Sequence, residues 1–424
     1  MIRFCWALFI LCLSLLAAHF VRQEKRVLIL APSKYEESVA ERFAYKYYFY
    51  YLPELSAAHY SLPDIVNQVC SFAREHQIDA ILCKEDYAGA ALAAICAKEL
   101  GLVAPDPTSI LTCSHKYYAR CAQKRSVPEA CPAFSLGVHL PFPCFVKPIK
   151  SSFSRYAQVV NSRDDEITMP PASYFDFFDQ LIAYATPFPH SEERKLCEGL
   201  LEGIQLTWEG YVYKGEVSTI GIVDSIMYPG TFSFQRFQYP SSLPQDIQRR
   251  IEAVATTFLT HVGLDNTVCN IELMYDPQKD LVSIIEINPR IAMQFCDLYE
   301  KVDGTNSYEI ALAIATGAKP EMKKNEGAFR VAASFVLRHF EDAVVTKVPS
   351  KEEIAVVKSH FPEAIVMADY RPGQKLSSSV QDGVSFRYGV IHLGGQDEDD
   401  LFARYEECTK ALTFTLEPIN ANLR

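Results

Sequence analysis

The chain has 424 residues, with 41 Lys and Arg against 52 Asp and Glu, and a formal net charge of −11. Hydrophobic residues make up 49% and charged residues 22%, which argues against a disordered chain and fits two to four globular domains. An acidic balance without a block of Lys and Arg argues against a nucleic-acid binder, because phosphate neutralisation needs clustered cations. Thirteen cysteines with no CxxC pair argue against zinc ribbons and thioredoxin-type sites; they read as buried free thiols in a reducing compartment.

Residues 4–18, FCWALFILCLSLLAA, form an apolar run broken only by Ser14, with Arg3 before it and Arg22, Lys25 and Arg26 after it. It reads as a secretory leader, a short membrane anchor, or sequence upstream of the true start. The heavier positive charge after the run favours a cytoplasmic body, free or tethered through this segment. RVLILA (26–31) has the composition of a buried parallel strand. A helix pattern through Glu36 to Tyr51 follows, crowded with aromatic residues. IDAILCK (78–84) reads as a second strand, and Ala88 to Leu100 as a helix capped by Gly101. Alternating strand and helix predict an open parallel α/β unit, and the lack of GxGxxG after its first strand argues against a dinucleotide site.

SHKYYARCAQK (114–124) predicts a helix and CFVKPIK (144–150) a strand, followed by a Ser-rich turn and a returning strand at 158–162. Residues 195–225 carry strand signals broken by glycines, and 245–262 an amphipathic helix ending near Gly263. Residues 266–290 predict a hairpin with an Asp-Pro turn, and 307–317 a helix stopped by Gly317. The remainder alternates short strands and turns and closes in a helix.

The hairpin carries the strongest chemical signal. Glu272 lies in its first strand; Glu286 and Asn288 share one face of the second, and Arg290 leaves on the same side. Ile285 and Ile287 are expected to point into a core, with Ile284 offset. Two carboxylates and an amide oxygen are hard ligands that suit Mg²⁺, and an Arg beyond them could steady a transferring phosphoryl group. An exposed polar face with a Glu–Arg ion pair stays open as the alternative. Lys147 ends an apolar strand before a turn of Ser151, Ser152 and Ser154, where a lysine and backbone N–H groups can meet phosphates. A snorkelling edge lysine stays open for it and for Lys116 on the preceding helix. Glu198, ahead of Leu200 and Leu201, could receive an adenine amino group, with Gln205 placed for ribose; a solvent-facing Glu at a bend is the alternative. No GxSxG or HExxH occurs.

Taken in order, Lys116, Lys147 with its turn, Glu198, Glu272 and Glu286-x-Asn288-x-Arg290 resemble the ATP-grasp superfamily over nearly the whole chain from Arg26. The branch it looks most like is the carboxylate–amine ligases of the L-amino-acid ligase and biotin-carboxylase-like type. Residues 1–25 read as a hydrophobic leader or anchor ahead of it, and the resemblance implies an amino-terminal open parallel α/β domain at 26–110. It further implies a two-lobed ATP-grasp domain at 111–325, with lobes at 111–196 and 197–325, and a small carboxy-terminal α+β domain at 326–424. Lys116, Lys147 and Ser154 would hold ATP phosphates, Glu198 the adenine and Gln205 the ribose. Glu272, Glu286 and Asn288 would bind Mg²⁺ or Mn²⁺, and Arg290 would steady the γ-phosphoryl while a substrate carboxylate attacks it. An amine, with amino acids among the candidates, would then displace phosphate from the acylphosphate and leave an amide. ATP-driven carboxylation or formyl transfer, and a non-catalytic ATP-binding pseudoenzyme, are the competing implications; a homodimer is compatible with either. The sequence departs from the family in KPIKSSFSRYA, where glycines are usual, in Gln205 for Glu, in Ser114-His115 before Lys116, and in IAMQF after Arg290.

Overall fold

The computed structural model describes residues 24–52, 61–379 and 384–419. The first unit runs β1 (Lys25–Leu30), α1 (Lys34–Glu41), β2 (Tyr47–Leu52), α2 (Leu62–Glu75), β3 (Ala80–Leu82), α3 (Gly89–Glu99) and α4 (Pro107–Ser114). Its parallel sheet has the order β2-β1-β3, so the expected open α/β unit is present. One expectation fails: the helix stops at Glu41, and YYFYYL (47–52) is a strand on β1 instead of more helix. Aromatic side chains suit a pleated surface better than a helix, and pairing with β1 decides the matter.

The next unit runs α5 (Lys116–Ser126), β4 (Phe134–Leu136), β5 (Cys144–Pro148), β6 (Gln158–Val160), α6 (Asp176–Ala185) and β7 (Lys195–Gly199). Its strands pair antiparallel in the order β4-β7-β5-β6. The chain then crosses through 200–203 into β8 (Ile204–Tyr213), β9 (Glu216–Met227) and β10 (Phe234–Tyr239). There follow α7 (Gln245–Val262), β11 (Thr267–Asp276), β12 (Leu281–Asn288), α8 (Met293–Asp303) and α9 (Ser307–Ala315). Last come β13 (Val331–His339), β14 (Ala343–Lys347), α10 (Lys351–His360), β15 (Ile365–Ala368), β16 (Phe386–Gly395), α11 (Glu398–Ala411) and β17 (Thr415–Pro418).

The large sheet has eight strands in the order β12-β11-β8-β9-β10-β13-β16-β15, so the carboxy-terminal strands extend the sheet begun by β8. Helix α7 covers one face of it. Its buried Ile247, Ile251, Ala255, Phe258 and Leu259 fall at helical spacing, and Gly263 at φ +65° ends it. This stripe packs with Leu206, Trp208, Ile271 and Ile284 in a core that continues into Leu28, Leu30 and Ile81 of the first sheet. Helices α8 and α9 cover the other face through Leu298, Tyr299, Tyr308 and Leu312. The eleven cysteines of the described residues are unpaired. Among the described residues no helix is long and apolar enough to cross a membrane; the apolar run at 4–18 lies outside them.

The crossing at 200–203 is tightly fitted. Gly203 sits at φ +127°, and a Cβ there would lie 2.1 Å from the Tyr275 carbonyl oxygen. Gly203→Ala therefore combines backbone strain with overpacking and should cost about 2–4 kcal/mol. Denaturant unfolding followed by the fluorescence of Trp208, buried on the adjoining strand, checks this; an unshifted midpoint would contradict it.

Candidate active site

The site begins with strand register. The hairpin closes through Asp276, whose Oδ1 accepts from the backbone N–H of Gln278 at 2.9 Å and of Lys279 at 3.1 Å. That turn places Glu272 opposite Glu286 and Asn270 opposite Asn288. On the next strand Thr207 stands opposite Glu272, and Glu209 opposite Asn270. Six polar side chains thus form two rows on one face. The alternating residues Leu206, Trp208, Ile271, Leu273 and Ile287 are buried on the other.

A bulge interrupts the alternation: Glu272 pairs with Glu286, but Leu273 pairs with Ile284. Ile284, expected to be offset, is fully buried, while Ile285, expected in the core, is the extra residue and only partly covered. The bulge frees two carbonyls. Arg120 Nη1 donates to the Ile284 oxygen at 2.7 Å, and Arg120 Nη2 to that of Ile285 at 2.7 Å. Lys147 Nζ also donates to Ile285 at 3.2 Å.

Glu272 Oε1 accepts from Asn288 Nδ2 at 3.2 Å, and Oε2 from Gln205 Nε2 at 3.3 Å. Burial and the facing Glu286 push its carboxyl up to about 7. Lys116 Nζ lies 2.7 Å from Glu286 Oε1 and donates to the Ser151 carbonyl at 2.9 Å. Burial works against its charge, but Glu286, Asp86 and Glu272 together hold it above the ordinary lysine value. The register thus brings Glu272, Glu286, Asn288 and Gln205 to one place and Lys116 to their edge. Two facing carboxylates, one of them held up by burial and by the other's charge, with two side-chain amides beside them, are a donor set that fits a divalent cation.

Glu198 is not at an exposed bend: it lies within β7 and is 3% exposed. Its Oε1 is 2.7 Å from Arg120 Nε and its Oε2 is 2.9 Å from Lys147 Nζ. Burial alone would raise this carboxyl, but Arg120 and Lys147 carry it down to about 2. Burial pulls Lys147 below the ordinary lysine range. Leu200 and Leu201 follow at the crossing between the sheets, the first exposed and the second partly so. Ser154 is exposed in a turn where Phe153, Ser154 and Tyr156 take φ of +57°, +54° and +60°. These three residues adopt the left-handed backbone that glycine enters at little cost.

The structure adds residues that the sequence reading missed. Lys150, 1% exposed, lies 3.1 Å from Asp86 Oδ1, and Arg290 Nε lies 3.9 Å from the same atom. Asp86 follows β3, at the carboxyl end of the parallel sheet, where open α/β units take their ligands. Lys150, three residues after Lys147 in KPIK, had a readable signal; Arg120 had none beyond its position one helical turn from Lys116. Glu209, fully buried beneath α8, has no hydrogen-bond partner for either oxygen, and burial pushes it up to about 8.

Residues 140–297 match the family model of the ATP-grasp domain. Curated proteins yield no match. Among solved structures, the L-amino acid ligase of Bacillus licheniformis aligns at 19% identity and a TM-score of 0.70, covering 93% of this chain and 99% of that one. The biotin carboxylase–β,γ-ATP complex of Campylobacter jejuni aligns at 14% identity and a TM-score of 0.63, covering 94% and 93%. The N5-carboxyaminoimidazole ribonucleotide synthetase of Thermotoga maritima aligns at 13% identity and a TM-score of 0.64, covering 93% and 100%. At these identities the likeness is one of fold, and it extends over nearly the whole chain around the matched domain. Residues 140–297 therefore match an ATP-grasp domain, and the fold around them is like that of these structures over nearly the whole chain.

Proposed function

We propose that this chain is an ATP- and Mg²⁺-dependent ligase that activates a carboxylate as an acylphosphate and joins it to an amine. The observation that carries the reading is the facing pair Glu272 and Glu286, with Lys116, Lys147, Lys150 and Arg290 around it. A carboxylate and a polyphosphate repel one another, and a site that joins them must offset negative charge on both. Mg²⁺ held by Glu272, Glu286 and Asn288 would screen the β- and γ-phosphates. Lys116 and Lys147 reach the phosphates, the Ser154 turn closes over them, and Arg290 faces the γ-phosphoryl as the acid oxygen attacks phosphorus. Glu198 acts through Lys147, whose ammonium it keeps charged and fixed, and the backbone beside it meets the adenine under Leu200 and Leu201. Gln205 takes the ribose. ADP leaves, the amine attacks the acyl carbon, and phosphate departs with the C–O electron pair while the proton shed by the amine nitrogen passes to a phosphate oxygen. We further propose the division into units at 26–110, 111–325 and 326–424.

A second reading, a nucleotide binder without turnover, draws support from the left-handed Phe153, Ser154 and Tyr156 over the phosphates. Phosphate release across pairs of acids and amines separates the two: the ligase releases phosphate only with both partners present, and the binder with none. A bicarbonate requirement would point to carboxylation.

Glu286→Gln should lower acid- and amine-dependent phosphate release about 10²–10³-fold while the chain stays folded; full activity would remove the metal assignment. Lys147→Ala should weaken Mg·ATP about tenfold in calorimetric titration, from the loss of one charge-assisted contact. Glu198→Gln leaves Arg120 and Lys147 buried without their counter-charge and should cost about 3–5 kcal/mol. Because the native Glu198 carboxyl lies at about 2 instead of 4.5, its contribution is complete above pH 4.5 and fades as pH falls toward 2. Denaturant curves of the variant across that window should lack this part of the native acid slope.

A further inference from the structure

A second feature lies between the first unit and the segment carrying Arg290. A cavity of about 60 Å³ is lined by Ala90 and Ala94 of α3, Ile314 of α9, Arg290, and Glu36 in the first turn of α1. Glu36 is 1% exposed. Its Oε1 accepts from Tyr308 Oη at 3.2 Å, and its Oε2 is buried with no partner. A carboxylate oxygen so placed costs free energy until a donor reaches it. The cations nearby are engaged elsewhere: Lys84, which also lines the cavity, pairs with Glu85, and Arg290 Nε faces Asp86 at 3.9 Å. The Ser33 backbone also favours the charged carboxylate, and Oε2 still has a place for a donor from outside the chain. A water needs about 10–15 Å³, so the cavity has room for roughly four to six non-hydrogen atoms. Its α3 wall is made of Ala90, Ala93 and Ala94, with Lys84, Asn266, Thr267 and Tyr308 among the polar residues elsewhere in its lining, and it lies past the carboxyl end of β3, where parallel sheets take ligands.

We propose that this cavity seats the amine substrate, a small primary aliphatic amine that arrives as its ammonium, is received by Glu36 and yields one proton to that carboxylate before it attacks. The assignment rests on the ligase reading, and Arg290 joins the two sites because it lines the cavity and faces the phosphoryl group. An ammonium satisfies Oε2 by hydrogen bond and by charge, and the alanine walls admit a short alkyl stem and exclude a ring. Burial lifts the Glu36 carboxyl to about 7 against the pull of Lys84 and the Tyr308 hydroxyl, so an arriving cation also keeps it ionised.

The test is saturation-transfer NMR on the full chain with ethylammonium chloride as probe and benzylammonium chloride as the size control. The native chain should bind ethylammonium and not benzylammonium, and Glu36→Gln should weaken ethylammonium at least tenfold. Equal binding by native chain and variant, or none by the native chain, overturns the proposal. Should Glu36→Gln not fold, Ala90→Leu, which fills the cavity, should abolish binding; retained binding overturns the proposal equally. Trapping with hydroxylamine, uncharged at neutral pH and indifferent to Glu36, tests the ligase reading separately through hydroxamates from a panel of carboxylic acids and Mg·ATP. Ethylammonium binding lost in Glu36→Gln, without any hydroxamate, keeps the ammonium site and ends the ligase reading. Hydroxamate without ethylammonium binding ends the amine seat and keeps the ligase.

Discussion

The arrangement of charge in this molecule depends on one buried guanidinium. Arg120 on α5 spends its donors on the carboxylate of Glu198 in β7, on Gln123 of its own helix, and on the two carbonyls freed by the bulge in β12. A planar fork with fixed donor directions locks three elements at once, which an ammonium could not do. Through it the four-stranded sheet with Lys147 is held against the edge of the eight-stranded sheet with Glu286. A buried ion pair contributes little to net stability when the cost of removing its charges from water is counted. What this one contributes is position: Lys147, the bulge and the Glu272–Glu286 pair have their separation set by the same side chain.

The polar face of the large sheet is graded from closed to open. At its inner end Glu209 and Asn270 lie buried beneath α8, with oxygens that have no partner. At its outer end Glu272 and Glu286 meet lysines from the other lobe. The same two rows therefore run from a buried side beneath α8 to a charged side beside Lys116. The first unit adds Asp86 at the end of its sheet, 3.1 Å from Lys150 Nζ and 3.9 Å from Arg290 Nε. Arg290 is thereby framed by three parts of the chain that are distant in sequence.

The hairpin was legible in the amino-acid sequence because alternation, an Asp-Pro turn and a hydrophobic second face all agree. Local agreement of this kind is what makes a pattern readable. The α7 stripe and the glycine stops after it and after α9 were legible for the same reason. The bulge at Ile285 was not, since SIIEI contains no glycine, proline or break in hydrophobicity to mark an extra residue. β2 was misread as helix because six consecutive aromatic and aliphatic residues carry no period, and pairing with β1 alone selects the strand. The candidate cations Lys116 and Lys147 were readable as types, but their partners were not. Glu198 lies 51 residues beyond Lys147 and Asp86 lies 64 residues before Lys150, and only the folded chain brings them together.

The turn after Lys150 has one more consequence. Phe153, Ser154 and Tyr156 hold left-handed backbone angles without the freedom a glycine would have. Strain of this kind costs about 1 kcal/mol or more per residue. A chain bearing Cβ atoms there also has fewer conformations to surrender when it settles over an anion. Glycine-rich loops are supple and lose entropy on ordering; this turn, with Cβ atoms at its left-handed positions and the exposed phenyl ring of Phe153 among them, has less backbone freedom to lose.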